Sequence, residues 1–320
     1  MIRDEQTPNQ THESSFSHLV GRRKVLQSAA AVGVGALTAG TLKWSSPTSP
    51  VSAASYNYVF TTFLGDSSSL EKLSVYTSAD GVTFSLLSNT GYTGPTGVLR
   101  DPTVMKHTDG KFYIAYTTES WTTASSNFGI ASSSDLVHWT YLTSVTSTVA
   151  KTHFVWAPEW FKDSDGSINI LVAIDDSGTG ANFRIFKYTA TNSSLTSWKG
   201  PTLLIGAGNY IDPFIVKLGS TYHIFAKGPT YIETATATSL TGPWTWIGTG
   251  NWAGWSSGKE GPAAFQLANG NWRMILDYDL GGAKQFVYSD SADGLKTWMA
   301  PKQFPGISGV VRHGTVCKGN

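Results

Sequence analysis

The chain has 320 residues, a formal net charge of +1 and only 14% charged residues, whereas 12% of its residues are aromatic. This length allows one large all-β domain or two ordinary domains. The balanced charge argues against a protein that binds nucleic acid, which would need a basic face.

The first 54 residues resemble an export leader. Arg22 and Arg23 precede a weakly apolar run of Ala, Gly and Val, and small residues around Ala53 match a signal-peptidase site. Paired arginines behind a polar N-terminus are typical of a twin-arginine signal. A membrane anchor is the alternative, but the run is short and glycine-rich for a span of about 20 strongly apolar residues. We predict that residues 1–54 are a signal peptide and leader cleaved near Ala53 or Ala54, and that the mature protein is secreted and not bound to a membrane.

From about Ser55 onward the sequence predicts short strands separated by turns, with almost no helical periodicity. One unit recurs four times: a strand headed by proline, an aromatic strand, a strand ending in Ser or Thr, and a tryptophan. The prolines, spaced by 56, 55 and 49 residues, are Pro102, Pro158, Pro213 and Pro262. Four strands in about 50 residues is the size of one propeller blade, so these units are blades 1 to 4. The recurring tryptophans, which we interpret as structural, are Trp139, Trp198, Trp244 and Trp298.

The two ends of the mature chain supply a fifth, divided unit. Residues 58–88 match the second to fourth strands of the repeat, and residues 310–318 match an isolated first strand. Pairing of these segments would complete blade 5 and leave no free sheet edge. We therefore predict a single, all-β, five-bladed propeller over residues 55–320. A β-sandwich is the alternative, but it does not explain the divided repeat.

Three acidic residues lie at the heads of the proline-containing strands. Asp101, Asp212 and Glu260 are interpreted as equivalent positions in three blades. First strands line the channel of a propeller, so we expect these carboxylates to meet at one mouth. A structural residue would recur in every blade, whereas blade 2 has Ala157 and blade 5 offers His313. Isolated buried carboxylates are costly, so this asymmetry predicts an active site.

Three carboxylates without a candidate serine–histidine pair indicate acid–base chemistry on a neutral polar substrate. Inverting glycoside hydrolysis uses one carboxylic acid to protonate the leaving oxygen and one carboxylate to activate water, about 6.5–9.5 Å apart. Opposite sides of a propeller channel give a separation of this order. A third carboxylate would raise the pKa of the acid by like-charge repulsion.

The segments RDPTV, WAPEW, IDPFIV, EGPAAF and RHGTV, in this order, resemble glycoside hydrolase family 43, the five-bladed arabinofuranosidases, arabinanases and β-xylosidases. The resemblance covers nearly all of the mature chain. It implies that Asp101 is the general base, that Asp212 orients the acid and tunes its pKa, and that Glu260 is the general acid. It also implies inversion at the anomeric carbon.

Three further residues are predicted to bind substrate. Trp156 precedes an inner strand, where its indole would form a wall for the sugar, with core packing as the alternative. Glu159 either faces the cleft or caps its strand. His313 matches a histidine that lies at the channel centre in many relatives, often beside a water-coordinated Ca²⁺ or another cation; a core histidine is the alternative. We expect no required cofactor, and we expect any structural Ca²⁺ near His313 to be held through water, because one histidine is not an oxygen-rich site.

The sequence departs from the family pattern in blade 4, where many relatives place an arginine that grips the sugar. Arg273 lies in the second strand of that blade, and Lys284 and Gln285 follow as candidate substitutes. We predict an exo-acting α-L-arabinofuranosidase, monomeric, on plant cell-wall arabinan or arabinose side chains. The alternatives are a β-xylosidase, an endo-arabinanase and a non-catalytic carbohydrate-binding propeller. A fructan hydrolase is disfavoured, because the Asn-Asp-Pro that it needs is absent.

Overall fold

The computed structural model describes residues 56–280 and 283–319, and the predicted leader lies outside them. Within the described residues, twenty strands form five four-stranded antiparallel sheets.

The chain begins with β1 (Tyr58–Thr62), β2 (Ser74–Ser78) and β3 (Ser85–Asn89). Blade 1 comprises β4 (Arg100–Lys106), β5 (Phe112–Thr117), β6 (Asn127–Ser133) and β7 (Thr140–Thr146). Blade 2 comprises β8 (Val155–Lys162), β9 (Ile168–Asp175), β10 (Phe183–Ala190) and β11 (Trp198–Ile205). Blade 3 comprises β12 (Ile211–Leu218), β13 (Thr221–Lys227), β14 (Ile232–Ala237) and β15 (Thr245–Gly248). Blade 4 comprises β16 (Lys259–Gln266), β17 (Trp272–Leu280), β18 (Ala283–Ser291) and β19 (Lys302–Gln303), and the last strand is β20 (Gly314–Lys318).

The two ends of the chain close the ring, as predicted. Strand β20 pairs antiparallel with β1, in a register that sets Tyr58 opposite Lys318 and Thr62 opposite Gly314. Each first strand also contacts the first strands of both neighbouring blades, in the cyclic order β20, β4, β8, β12, β16. The five-bladed propeller is therefore confirmed, and its inner strands surround one channel.

The four undivided blades share one irregularity at the head of the inner strand. Pairing with the second strand shifts register there, because a β-bulge accommodates a proline that cannot donate to the ladder. The shifts lie between Arg100 and Thr103, Trp156 and Glu159, Ile211 and Phe214, and Glu260 and Ala263. The residue before each proline has a positive φ: 47° at Asp101, 49° at Ala157, 53° at Asp212 and 56° at Gly261.

This alignment corrects the prediction that the three acids are equivalent. Asp101 and Asp212 share the bulge position, but the bulge position of blade 4 is Gly261. Glu260 lies one residue earlier, and it aligns with Arg100 and Trp156. Since neighbouring strand residues project differently, the acid of blade 4 enters the mouth from another point than the two aspartates.

The core lies between the blades and consists of buried aliphatic and aromatic side chains from all five sheets. The recurring tryptophans are partly buried against these clusters, which confirms their structural interpretation. Two of them, Trp139 and Trp198, donate from the indole nitrogen to the carbonyl three residues earlier, at 3.2 and 3.1 Å. The described part of the chain has no helix with the length and hydrophobicity of a membrane span.

Candidate active site

Two of the predicted acids meet at the predicted histidine. Asp101 Oδ1 lies 3.5 Å from His313 Nδ1, and Asp212 Oδ1 lies 4.0 Å from the same nitrogen. These side chains come from blades 1 and 3 and from the segment that leads into β20. The closed ring therefore brings together residues that are more than 200 positions apart in the chain, 101 and 313.

Asp101 is held by a threonine that the sequence analysis missed. Thr117, the last residue of β5, donates from Oγ1 to Asp101 Oδ2 at 2.9 Å. The same hydroxyl accepts the backbone N–H of Ala157 at 2.9 Å. The only signal for this role was the position of Thr117, which lies opposite Arg100 across the hairpin. Thr117 thus fixes the second carboxylate oxygen of Asp101 and ties blade 1 to blade 2.

Asp212 is held by the backbone of blade 4, where Gly261 donates its N–H to Asp212 Oδ2 at 2.9 Å. A Cβ at Gly261 would lie 2.6 Å from a carbon of the His313 ring, and its φ of 56° also favours glycine. The bulge position of blade 4 must therefore lack a side chain. This explains why its acid, Glu260, stands one residue earlier than the aspartates.

The environment of Glu260 suits a general acid. Burial, reinforced by the negative charge of Asp212, raises the pKa of Glu260 to about 7. The positive charges of Lys227 and Arg312 limit this rise. A carboxyl group with this pKa still carries a proton over much of the neutral range, which an acid catalyst requires.

Asp212 and His313 each shift the pKa of the other in the direction that favours its charged form. Burial raises the pKa of Asp212, and the charge of His313 opposes that rise. Burial alone would lower the pKa of His313, but the negative charges of Asp212 and Asp101 outweigh it and raise this pKa. The positively charged form of His313 and the negative charges around it therefore stabilise each other at short separation.

Glu159 lies within the channel wall. Its side chain is 4% exposed, and Oε2 accepts a hydrogen bond from Thr315 Oγ1 of β20 at 2.6 Å. Burial raises the pKa of Glu159 to about 8, against the lowering effects of Thr315 and His313. The carboxyl group thus has a partner inside the protein, and its contact with substrate stays a prediction.

Trp156 packs against two aromatic side chains. One face of the indole stacks on Phe183, with ring centroids 4.6 Å apart, and Phe154 lies 4.7 Å away. The residue is nevertheless partly exposed and holds the repeat position of Glu260. Its role as a wall of the sugar pocket stays a prediction with a suitable location.

Two buried arginines beside the acids take part in an ion-pair network that the sequence analysis also missed. Asp66 bridges them, with Oδ1 2.6 Å from Arg100 Nη1 and Oδ2 2.9 Å from Arg312 Nη1. Although burial opposes it, the two guanidinium groups hold the pKa of Asp66 below its usual value. Arg312 Nε also lies 2.7 Å from Asp277 Oδ2. The network fixes the residues adjacent to Asp101 and to His313 in the chain.

One of the blade 4 candidates for the sugar-gripping residue, Arg273, lies away from the acids, whereas a role for Lys284 or Gln285 stays a prediction. Arg273 is buried and makes a bidentate ion pair with Asp290, at 2.7 Å for both contacts. It lies opposite Phe265, toward the far end of its hairpin from Glu260. Lys284 Nζ is 3.5 Å from the carbonyl oxygen of Leu64. Arg273 is therefore a structural residue.

A direct calcium cage does not fit the described residues. Within residues 56–280 and 283–319, no three His, Cys, Asp or Glu side chains are arranged to hold a metal ion. His313 offers an imidazole, and the aspartate oxygens nearest to it already face its Nδ1, whereas Ca²⁺ prefers six to eight oxygen ligands. A Ca²⁺ ion near His313 stays a prediction, and these residues would hold it only through water.

Comparison with known proteins was made at the levels of family, sequence and structure. A model of a probable glycosyl hydrolase domain, related to glycoside hydrolase family 43, matches residues 54–318. No curated protein sequence matches the chain.

Solved structures share the fold at low sequence identity. An exo-β-1,3-galactanase of Phanerochaete chrysosporium bound to β-1,3-galactotriose has a TM-score of 0.57 at 19% identity, over 70% of this chain and 55% of that one. An α-L-arabinanase of Cellvibrio cellulosa with arabinohexaose has 0.56 at 17% identity, over 76% and 91%. An endo-1,4-β-xylanase of Bacteroides thetaiotaomicron has 0.57 at 16%, over 78% and 92%. This chain thus spans about half the length of the galactanase. With the family model matching most of its length, the chain belongs to the glycosyl hydrolase domains related to glycoside hydrolase family 43.

Proposed function

We propose that this glycoside hydrolase inverts the anomeric configuration and releases terminal α-L-arabinofuranosyl residues from plant cell-wall arabinan or arabinose-substituted polysaccharide. One observation carries the chemistry: Asp101 lies in an ion-paired, hydrogen-bonded setting, whereas burial and Asp212 raise the pKa of Glu260 to about 7. Two carboxyl groups whose environments differ in this way are suited to opposite roles, base and acid.

The proposed reaction follows from these roles. Asp101 accepts a proton from a water molecule as the water attacks the anomeric carbon. Glu260 gives its proton to the glycosidic oxygen as the bond to the leaving group breaks, so that no proton is gained or lost overall. Asp212, fixed by the Gly261 amide, holds the backbone next to Glu260 and keeps the pKa of Glu260 high by its charge. Trp156 contributes a wall of the pocket.

The choice of arabinose rests on the resemblance of the sequence to arabinofuranosidases. The Cellvibrio arabinanase, whose structure contains arabinohexaose, is compatible with it as a relative in fold. A second candidate is an exo-β-1,3-galactanase, because two of the structurally similar proteins, one from a fungus and one from a bacterium, carry that description. β-Xylosidase and endo-arabinanase activities are further alternatives, as is a carbohydrate-binding propeller without catalysis.

A substrate panel tests the proposal. The mature protein is incubated with the 4-nitrophenyl glycosides of α-L-arabinofuranose, β-D-xylose and β-D-galactose, and with linear arabinan, branched arabinan, xylan and β-1,3-galactan. We expect monomeric arabinose, with the inverted anomer formed first in an NMR time course. Galactose or xylose as the main product would overturn the sugar assignment. A retained anomer would overturn the role of Asp101. Binding of a polysaccharide without hydrolysis of any substrate would favour the non-catalytic alternative.

We propose the extracellular space as the site of action, with the protein exported through its twin-arginine leader and active there as a monomer. The sequence supports export through Arg22, Arg23 and the small residues around Ala53. Sequencing of the N-terminus of the secreted protein should begin next to Ala53 or Ala54. A secreted chain that still begins at Met1 would contradict cleavage, and light scattering of the mature protein tests the monomer.

A further inference from the structure

One exposed aromatic side chain beside the channel mouth has no role in the proposed chemistry. Trp121 is 44% exposed, and the other tryptophans in the described residues are buried or partly buried. A single exposed apolar side chain needs no explanation in itself. The position of Trp121 and the way its loop is fixed distinguish it from a chance exposure.

The loop that carries Trp121 starts at the candidate active site. It follows β5, whose last residue, Thr117, holds Asp101. Trp121 lies four positions after Thr117 in the chain, so their Cα atoms are at most about 14 Å apart at 3.3–3.6 Å per residue. The loop therefore places Trp121 near the mouth, where a polysaccharide must extend once one of its sugars occupies the channel.

Hydrogen bonds tie this loop to the mouth from two sides. Ser120 Oγ donates to Glu71 Oε2 at 3.0 Å, and Glu71 Oε1 lies 3.2 Å from Arg100 Nη1, next to Asp101 in the chain. On the other side, the N–H of Ser125 donates to the carbonyl of His153 at 2.9 Å, in the segment that leads to Trp156.

A backbone hydrogen bond within the loop also forms a turn that contains Trp121. The N–H of Thr123 donates to the carbonyl of Ser120 at 2.9 Å, which makes a turn with Trp121 at its first corner. A turn that is already ordered presents the indole with little further loss of conformational freedom on binding.

We propose that Trp121 is a stacking platform for a sugar unit of a polysaccharide substrate outside the channel, beyond the unit that is cleaved. The indole offers a flat apolar face with a polar N–H, which suits the C–H face and hydroxyl groups of a sugar ring. Trp121 thus determines preference for chains over small glycosides. This inference rests on the proposed function and specifies its substrate as a polymer.

Kinetics with Trp121→Ala test the platform. The ratio of kcat/KM on linear arabinan to kcat/KM on 4-nitrophenyl α-L-arabinofuranoside should fall about tenfold, mainly through KM on arabinan, as for loss of an aromatic contact worth about 1.4 kcal/mol. Trp121→Phe should recover most of the ratio. Tyr141→Ala is the matched control, because Tyr141 is 39% exposed in the same blade but lies on its outer strand, β7; the ratio should stay at the wild-type value.

Binding without turnover separates this inference from the proposed function. Wild type and Trp121→Ala are run in native gels that contain arabinan, β-1,3-galactan or xylan, after their melting temperatures have shown that both are folded. We expect one polysaccharide to retard the wild type more than Trp121→Ala. If no glycoside is hydrolysed but this difference is seen, the proposed function fails and the platform stands. Equal migration of the two proteins in every gel, or an unchanged kinetic ratio, would overturn the platform.

Discussion

The ionisable side chains of the channel take their protonation states from burial and from one another. His313 carries a raised pKa between Asp101 and Asp212, whereas Glu260 and Glu159 lie where burial favours the neutral acid. Burial therefore makes Glu260 and Glu159 weaker acids than an exposed glutamate. These differences give three predictions.

Asp101→Asn should leave the protein folded and reduce hydrolysis by about 10²–10⁴-fold or more, because the attacking water loses its base. Thr117 can still donate to the amide oxygen that replaces the carboxylate. We would measure kcat on arabinan together with the melting temperature. Activity within tenfold of the wild type, in a protein with an unchanged melting temperature, would contradict the role of Asp101.

Glu260→Gln should abolish the proton donor and lower kcat by a similar factor on substrates with poor leaving groups. The loss should be smaller on 4-nitrophenyl glycosides, whose leaving oxygen needs little protonation. In the wild type, Glu260 acts in its protonated form, so kcat/KM should fall as the pH rises through about 7. Profiles from pH 4 to 9 on both substrate types check this; equal losses on both would remove Glu260 from the acid role.

Glu159→Gln should change how stability depends on pH. The folded protein keeps a proton on Glu159 up to about pH 8, whereas an unfolded chain loses it near the ordinary value of 4.5. The folded state therefore binds more protons in this window, so the free energy of unfolding falls as the pH rises through it. Glu159→Gln removes this term and should raise stability relative to the wild type at pH 9 but less at pH 5. Urea unfolding at both pH values measures the difference, and an equal difference at both would contradict a buried neutral carboxyl.

The inner strands of blades 1 to 4 share one backbone feature, the β-bulge before the proline, but the residue at this position differs between blades. Each bulge places the residue before proline at a positive φ, which costs about 1–3 kcal/mol for a residue other than glycine. Blades 1 and 3 use this position for aspartates that contact His313, whereas blade 4 uses glycine to make room for the ring. Two of the three strained bulge positions, Asp101 and Asp212, therefore lie at the candidate site.

Gly261→Ala should destabilise the protein by about 2–4 kcal/mol and reduce activity, since a methyl group would press on the His313 ring at an unfavourable φ. Gly219→Ala is the matched control: Gly219 has a φ of 59°, but no atom lies within 4 Å of an added Cβ. The control should show only the backbone term. Chemical denaturation gives both free energies, and equal losses in the two variants would show that His313 does not pack on Gly261.

The closed ring makes the candidate site depend on the C-terminal strand. β20 completes blade 5, contacts the inner strands of blades 1 and 4, and follows directly after His313. Its Thr315 also holds Glu159 of blade 2. The strand therefore contributes to the sheet, to the channel and to the site at once.

Removal of residues 314–320 should abolish the cooperative thermal transition of the wild type and cause self-association, because β1 would become an exposed sheet edge. A chain that lacks only Asn320 is the control. Calorimetry and size-exclusion chromatography measure the two effects. A truncated monomer that melts at the wild-type temperature would show that closure by β20 does not stabilise the ring.

The order of the strands, the number of blades and the pairing of the chain ends could all be predicted from the sequence. Each depends on local signals that repeat at about 50 residues: prolines at strand heads, alternating aromatic strands and turn residues. The missing first strand at residue 58 and the unpaired strand at the C-terminus were visible in the same way. The candidate acids were visible because they depart from a repeat.

The offset of Glu260, the contact of Gly261 with His313, the hydroxyl of Thr117 and the bridge from Asp66 to two arginines could not be predicted. The offset depends on the exact position of a β-bulge, and the contacts depend on distances of a few ångströms between side chains that tertiary packing brings together. The sequence period places residues on a strand to within one position, and one position changes the direction in which a side chain projects. Closure of the ring sets those distances, so the protonation states at the channel mouth follow from the folded propeller and not from the motifs alone.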